Sequence, residues 1–243
     1  MPDESWPVVR TVGVDRILVS FGASLSERAN RAALALRAAI ETQAWPGVTE
    51  TTTSLVSACV VFDPLELPHA KLEAQLWTLI GQRDWFSAVL PEGRRRWNVP
   101  TVYGTELAPQ LDEAAQVAGL TRSEAVASLS EKPVRVQTIG FSPGMPYLGH
   151  LPEVWDIPRQ QDLSPTVPAG ALVVAVRQLV LFSVTTPTGW RHVGQTALQL
   201  FQPQADPPFV LRPGDEARFT PVDRDTFESL QADPMGGATY EVI

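Results

Sequence analysis

Arg95-Arg96-Trp97-Asn98-Val99-Pro100-Thr101-Val102-Tyr103, closed by Gly104, reads as a β-strand, and the domain that takes this strand decides the fold. Counted with what precedes it, it is the last of four strands. The others are Thr11 to Phe21, Val48 to Thr53 and Leu55 to Phe62, all rich in β-branched residues. Between them, Leu25, Ala29, Ala32, Leu36 and Ile40 recur at helical spacing, which predicts a helix over Ser26 to Thr42. Ser24 and Glu27 have the spacing of a capping box, and Trp45-Pro46-Gly47 ends the helix. Asp63-Pro64 breaks the third strand. Leu72, Leu76, Leu79 and Ile80 then mark a second helix, from Pro68 to Gln82. The order β-α-β-β-α-β is that of a ferredoxin-like split βαβ domain, expected over residues 1–100. It shows no metal-ligand or nucleophile spacing.

Beyond Gly104 the pattern changes. Leu111 to Ala118 is a short helix ended by Gly119, and Thr121 with Glu124 forms a capping box for another that runs to Ser130. After Pro133 the elements are short and extended. Val134 to Ile139 alternates, and Leu172 to Val176 is apolar throughout, as in a strand buried on both faces. Leu179 to Val184, Ala197 to Phe201, Phe209 to Leu211 and Ala217 to Val222 read as further strands. Pro213-Gly214-Asp215 is a turn, and Asp223 to Leu230 a short helix. Many short strands punctuated by Pro and Gly argue for a β-barrel or sandwich over residues 101–243.

Composition bounds the function. With 44% apolar and 19% charged residues, the chain has the make-up of a soluble globular protein that needs no metal or disulfide staple. A net charge of -8 argues against general nucleic-acid binding. Arg94-Arg95-Arg96 is the one dense basic cluster, either an anion contact or a solvated turn. Met1 to Arg10 contains Asp3 and Glu4 and is not expected to be a signal peptide. No run reaches the ~18 apolar residues of a membrane span. The single cysteine, Cys59, fits a reducing compartment, so a cytoplasmic location is expected.

The densest motif is Gly140-Phe141-Ser142-Pro143-Gly144-Met145-Pro146-Tyr147-Leu148-Gly149. Its glycines and prolines make a rigid, uncharged loop. The first five residues match Gly-x-Ser-x-Gly, yet a nucleophile elbow needs the backbone N–H after the serine for its oxyanion hole. Pro143 has none, so a serine hydrolase is rejected. There is no Walker-type phosphate loop. His69, His150 and His192 have no paired-ligand spacing, so zinc is not expected. His192 follows Thr188-Gly189-Trp190-Arg191 and reads either as a solvent-facing strand residue or as a catalytic one. Pro158-Arg159, Val167-Pro168-Ala169-Gly170 and Pro187-Thr188-Gly189-Trp190 make further rigid loops, which either surround one cleft or turn barrel corners.

These residues carry a resemblance. The chain is similar to the family of KipI and the 5-oxoprolinase B subunit, also called allophanate hydrolase subunit 1 or carboxyltransferase domain C/D. The match includes Tyr103-Gly104, Leu111-Asp112, the Gly140–Gly149 run, Leu151-Pro152, Pro158-Arg159, Val167-Pro168-Ala169-Gly170, Gln178, Gly189-Trp190, Val193-Gly194, Thr196 and Pro213-Gly214-Asp215. The resemblance implies a cyclophilin-like β-barrel for the second domain. It also implies that the chain pairs with a homologous C subunit of the KipA type and an A subunit of the LamB/YcsF type, which together cleave 5-oxoproline to glutamate with ATP. ATP, with Mg shared among the subunits, is the implied cofactor, and none is expected to be tightly bound. A KipI-like inhibitor that docks on a histidine kinase is the alternative. No nucleic-acid or membrane partner is expected.

The candidate binding set is Phe141, Pro143, Gly144, Arg159, Gln178, Gly189, Trp190, His192 and Gln195. Phe141 and Trp190 are expected to wall the cleft, Gly144 to bring backbone to the ligand, and Arg159 and Gln178 to hold polar groups. The chain departs from the family pattern. Leu129 stands in place of a histidine, Gln178-Leu179-Val180 replaces Gln-Thr-Gly, and Thr188 replaces a glycine. Gln195 stands where the family has an arginine, and Ser164 lies near the place of another. These losses remove parts of an anion-binding or acid–base site, for which His192 or Arg191 would have to compensate.

Overall fold

A computed structural model of the chain describes residues 6–243, which divide into two units at the boundary between Glu92 and Gly93. Met1–Ser5, half of the stretch read above for a leader, lie outside the described residues. Among the described residues no helix is long and apolar enough to cross a membrane.

In the first unit, β1 (Val8–Val12) and β2 (Arg16–Ser20) form an antiparallel hairpin, with Val12 opposite Arg16. The single strand expected over Thr11 to Phe21 is therefore two, because Gly13 turns the chain at φ +68°. Helix α1 (Glu27–Gln43) follows, and its N-cap is Ser26, whose hydroxyl accepts from Ala29 N, rather than Ser24. Strands β3 (Val48–Ser54) and β4 (Ser57–Phe62) form a second hairpin, and α2 (His69–Ile80) comes next. The sheet order is β1-β2-β4-β3, antiparallel throughout. Ile17, Val19, Ala58, Val60 and Phe62 pack on Ala32, Leu36 and Ile40 of α1 and on Leu72, Leu76 and Leu79 of α2.

Arg95–Tyr103 is absent from this sheet, which corrects the ferredoxin-like expectation. The order is β-β-α-β-β-α, and β1 holds the edge beside β2. A hairpin through a three-residue turn closes a short loop, and short closures cost less chain entropy than long ones.

Arg95–Tyr103 is instead β5, the first strand of the second unit. After it come α3 (Leu111–Val117), α4 (Arg122–Ser130), β6 (Val134–Ile139), β7 (Pro146–Gly149), β8 (Ser164–Val167), β9 (Ala171–Ala175) and β10 (Gln178–Leu181). They are followed by β11 (Thr186–Thr188), β12 (Arg191–Gln195), β13 (Glu216–Pro221), α5 (Arg224–Leu230) and β14 (Thr239–Val242). Strands β12-β9-β10-β7-β6-β13-β5 are hydrogen-bonded in that order, and β5 pairs back onto β12, so seven strands close into a barrel. Nine residues let β5 serve three neighbours: β13 in parallel, β14 through Arg95–Asn98, and β12 through Val102 and Tyr103. This closed barrel is consistent with the cyclophilin-like barrel that the resemblance implies.

Val99, Val136, Leu148, Leu172, Val174, Leu179, Leu181, Val193 and Phe219 form one core with Leu111, Ala114, Ala125 and Leu129 of α3 and α4. Leu129, in place of the family histidine, is thus a core residue. On the opposite strand faces, Ala171, Val173, Ala175, Val180 and Phe182 pack with Met145, Val167 and Trp190. Every residue of β9 is buried, as its unbroken apolar run predicts. Thr121 and Glu124 form the predicted capping box in full. The strands expected at Ala197–Phe201 and Phe209–Leu211 reduce to one bridge between Phe201 and Phe209, across a connection with Pro203, Pro207 and Pro208, which carry no N–H for a ladder.

Asp215 joins β13 to β5. It is fully buried and accepts from Arg95 N at 3.0 Å, Arg95 Nη2 at 2.5 Å and Trp97 Nε1 at 3.3 Å. Arg94 and Arg96 both reach Glu216. The basic cluster is therefore a set of inter-strand ion pairs, neither an anion contact nor a solvated turn.

Candidate functional site

The signature loop joins β6 to β7, strand to strand. Met145 N donates to Ser142 O and Gly140 N to Met145 O, each at 3.1 Å, so the turn folds on itself. Phe141 adopts φ +70° and Gly144 φ +72°. No helix follows Ser142, which agrees with rejecting the elbow. Phe141 is 75% exposed at the loop tip and is not a buried wall. Pro143 is exposed beside it. Gly144 is buried, and a Cβ there would lie 2.9 Å from Leu200 O, so the loop leans its backbone on Leu200.

The candidate residues that do meet are on the outer face of the barrel. Trp190 is buried, with Tyr147 edge-on to its ring at 6.4 Å and the Arg159 guanidinium 5.4 Å from its centroid, a cation–π distance. Gln160 sets this geometry: its N donates to Gly189 O at 2.7 Å and its Nε2 to Trp190 O at 3.0 Å. Gln110 holds Gln160 in turn, through a 2.6 Å hydrogen bond to its Oε1, and accepts from His192 N at 2.9 Å. Arg191 is already committed, donating to Glu113 Oε1 at 2.9 Å and Pro158 O at 2.7 Å, so it is not available to replace a lost anion-binding arginine.

Strand register explains the placing of His192. It pairs with Val173, Val173 with Val180, and Val180 with Tyr147, one row across four strands. His192 is buried on this face rather than open to solvent. Burial pushes its pKa below the usual histidine value, and the Gly194 backbone and the Gln195 side chain oppose that push only in part. Its Nε2 has no hydrogen-bond partner. Burial also raises the pKa of Tyr147, against the pull of Arg159.

Arg159, Gly189, Trp190 and His192 thus form one group. Gln178 shares the strand face of Val180 but spends its amide on Gln137 Oε1 at 2.9 Å. Gly144 belongs elsewhere, against Leu200, whereas the Gln195 side chain reaches His192 and also donates to Ala169 O. Sequence reasoning missed Gln110, Gln160 and Tyr147. Tyr147 stood inside the signature and Gln110 beside the Leu111-Asp112 match, but only the packing makes them supports of Trp190.

Chemically, the group offers an exposed guanidinium over an aromatic face and a buried imidazole behind it. It suits binding of a carboxylate or a polar group. Among the described residues no group of three or more His, Cys, Asp or Glu is placed to hold a metal ion.

Comparison with known proteins agrees with this picture. Residues 7–211 match the family described as carboxyltransferase domain, subdomain C and D. The chain is 29% identical over 231 residues to the 5-oxoprolinase B subunit of Bacillus subtilis (strain 168), covering 92% of this chain and 96% of that protein. It is 39% identical over 141 residues to the 5-oxoprolinase B subunit of Escherichia coli O157:H7, covering 58% of this chain and 65% of that protein. Among solved structures, TTHA0988 superposes with a TM-score of 0.71 at 30% identity, over 89% of this chain but 40% of that longer one. With 205 of its 243 residues matched, the chain belongs to the carboxyltransferase domain, subdomain C and D, family.

Proposed function

We propose that the chain is the B-type subunit of an ATP-dependent 5-oxoprolinase-type amidohydrolase, working with a homologous C subunit and an A subunit of the LamB/YcsF type. The observation that carries this is the nearly end-to-end match to a relative named as the B subunit of 5-oxoprolinase, 96% of which is covered. The geometry supports it from the other side. The outer-face group can hold a ligand, and its histidine is buried with the Gly194 backbone and the Gln195 side chain beside it, so in this reading the chemistry comes with a partner.

A five-membered lactam is a stable amide. Transfer of a phosphoryl group from ATP to the lactam oxygen would make that oxygen a better leaving group and release ADP. Overall, the ring C–N bond breaks, one water supplies the hydroxyl of the new carboxylate, and a second accounts for inorganic phosphate. In this reading Arg159 meets the substrate carboxylate, Trp190 gives a flat wall, and Gln160 and Gln110 hold that wall in place. ATP and Mg bind with groups of the partner subunits.

Reconstitution tests the reading. The chain, a C subunit and an A subunit together are expected to convert 5-oxoproline to glutamate with release of phosphate from ATP, and the chain alone is expected to be inactive. Glutamate formation by the isolated chain, or none by the full set, would contradict it. In the active complex Arg159→Ala is expected to raise KM for 5-oxoproline about tenfold with little change in kcat, since a lost charged hydrogen bond is worth roughly 1.5–3 kcal/mol.

A further inference from the structure

We propose that Gln110 and Glu113, at the start of α3, are positioning residues for Arg159, and that Gln160 and Arg191 transmit their grip. Arg159 as the ligand contact is taken from the reading above; the grip itself is independent of what the ligand is.

Arg159 lies on an exposed stretch outside helix and strand. A free arginine side chain samples many rotamers, yet here the guanidinium sits 5.4 Å from the centroid of the buried Trp190 ring. That contact needs Pro158–Gln160 and Gly189–Arg191 to be held side by side. Three hydrogen bonds do so, and they fall on the neighbours of Arg159 rather than on Arg159 itself. Gln160 N donates to Gly189 O at 2.7 Å, Gln160 Nε2 to Trp190 O at 3.0 Å, and Arg191 Nη1 to Pro158 O at 2.7 Å. The residues before and after Arg159 are thus pinned to Trp190 and to both of its neighbours.

Each pin is set from α3. On one side runs a relay of amides. His192 N donates to Gln110 Oε1 at 2.9 Å, Gln110 Nε2 to Gln160 Oε1 at 2.6 Å, and Gln160 Nε2 to Trp190 O. The relay starts on a backbone N–H and ends on a backbone carbonyl, so the orientation of both side-chain amides is settled. On the other side is an ion pair. The Arg191 side chain is 8% exposed, and its Nε donates to Glu113 Oε1 at 2.9 Å. A guanidinium this buried needs a counter-charge. With Nε on Glu113, the planar fork directs Nη1 to Pro158 O. Gln110 Nε2 also lies 3.4 Å from Glu113 Oε2, which joins the two anchors.

NMR on the full, isotope-labelled chain tests the grip with no ligand present. Cross-peaks between the Arg159 δ protons and the Trp190 indole are expected in the parent chain. They are expected to disappear in Glu113→Ala and in Gln110→Ala, with the amide spectrum still dispersed. Glu113→Gln keeps an oxygen acceptor for Arg191 Nε and is expected to retain them. The second arm uses the complex reconstituted as above. There Glu113→Ala is expected to raise KM for 5-oxoproline about fivefold with kcat changed less than about twofold, and to add less than about twofold when Arg159 is already alanine. The proposal is overturned if the cross-peaks are absent from the parent, if they survive in either alanine variant, or if Glu113→Ala raises KM equally with and without Arg159. If Glu113→Ala does not fold, Gln110→Ala carries both arms. If Arg159→Ala leaves KM unchanged, Arg159 is not the ligand contact, and the cross-peaks still decide whether α3 positions it.

Discussion

Gly170 and His192 show what single residues contribute. At φ +78° any side chain on Gly170 is strained, and the Thr196 carbonyl occupies the place of its Cβ. Gly170→Ala is therefore expected to destabilise the chain by about 3 kcal/mol or more, read as a lower urea midpoint. His192 makes a prediction about pH. Its folded pKa is depressed by burial, while an unfolded histidine titrates near ~6.5. Below that pH the unfolded chain binds the proton more readily, so stability falls as pH drops through ~6.5 toward the folded value. The urea midpoint is expected to fall between about pH 7 and about pH 5.5, and to fall less in His192→Gln. At this scale the sequence singled out Trp190, Arg159 and Gly189, and the structure places them together. It was silent on Gln110 and Gln160, because a glutamine that holds another glutamine leaves no pattern in a single chain.

Between elements, the buried carboxylate of Asp215 ties the start of β13 to β5, beside their parallel ladder. It meets the guanidinium and backbone of Arg95 and the indole of Trp97 with no exposure to solvent. Asp215→Asn would leave Arg95 uncompensated and is expected to cost about 3–5 kcal/mol in chemical unfolding. By contrast, Thr121→Ala removes only the N-cap of α4 and is expected to cost about 1 kcal/mol in the same measurement. The helices were readable because their signals are local: buried faces at helical spacing, and the Thr121–Glu124 capping box. Strand β7 was not, since Pro146–Gly149 lies inside a loop-like run of glycine and proline and becomes a strand only by pairing with β6 and β10.

For the whole molecule, the assignment of β5 decides which fragments can fold. The second unit begins at Gly93, and without Arg95–Tyr103 the barrel loses the strand that joins β13 to β12. Residues 93–243 expressed alone are expected to unfold cooperatively with heat. Residues 101–243 are expected to show no such transition, because the open barrel exposes the core around Phe219 and Val193. Dispersed amide spectra for the shorter fragment would refute this. The sequence by itself determined the two-part organisation, the helices, the barrel character of the second part and the lack of an oxyanion N–H after Ser142. These rest on periodicity, composition and the chemistry of single residues, all of which are local, while the family was legible only through the resemblance of its motifs. Tertiary structure alone decided that Arg95–Tyr103 closes the barrel and β1 completes the first sheet. It also placed His192 in the buried row beside Val173, with the Gln195 side chain against it. Strand partners and buried rows are long-range pairings, and a strand carries no mark of the neighbour it will choose until the register and the buried Asp215 select one.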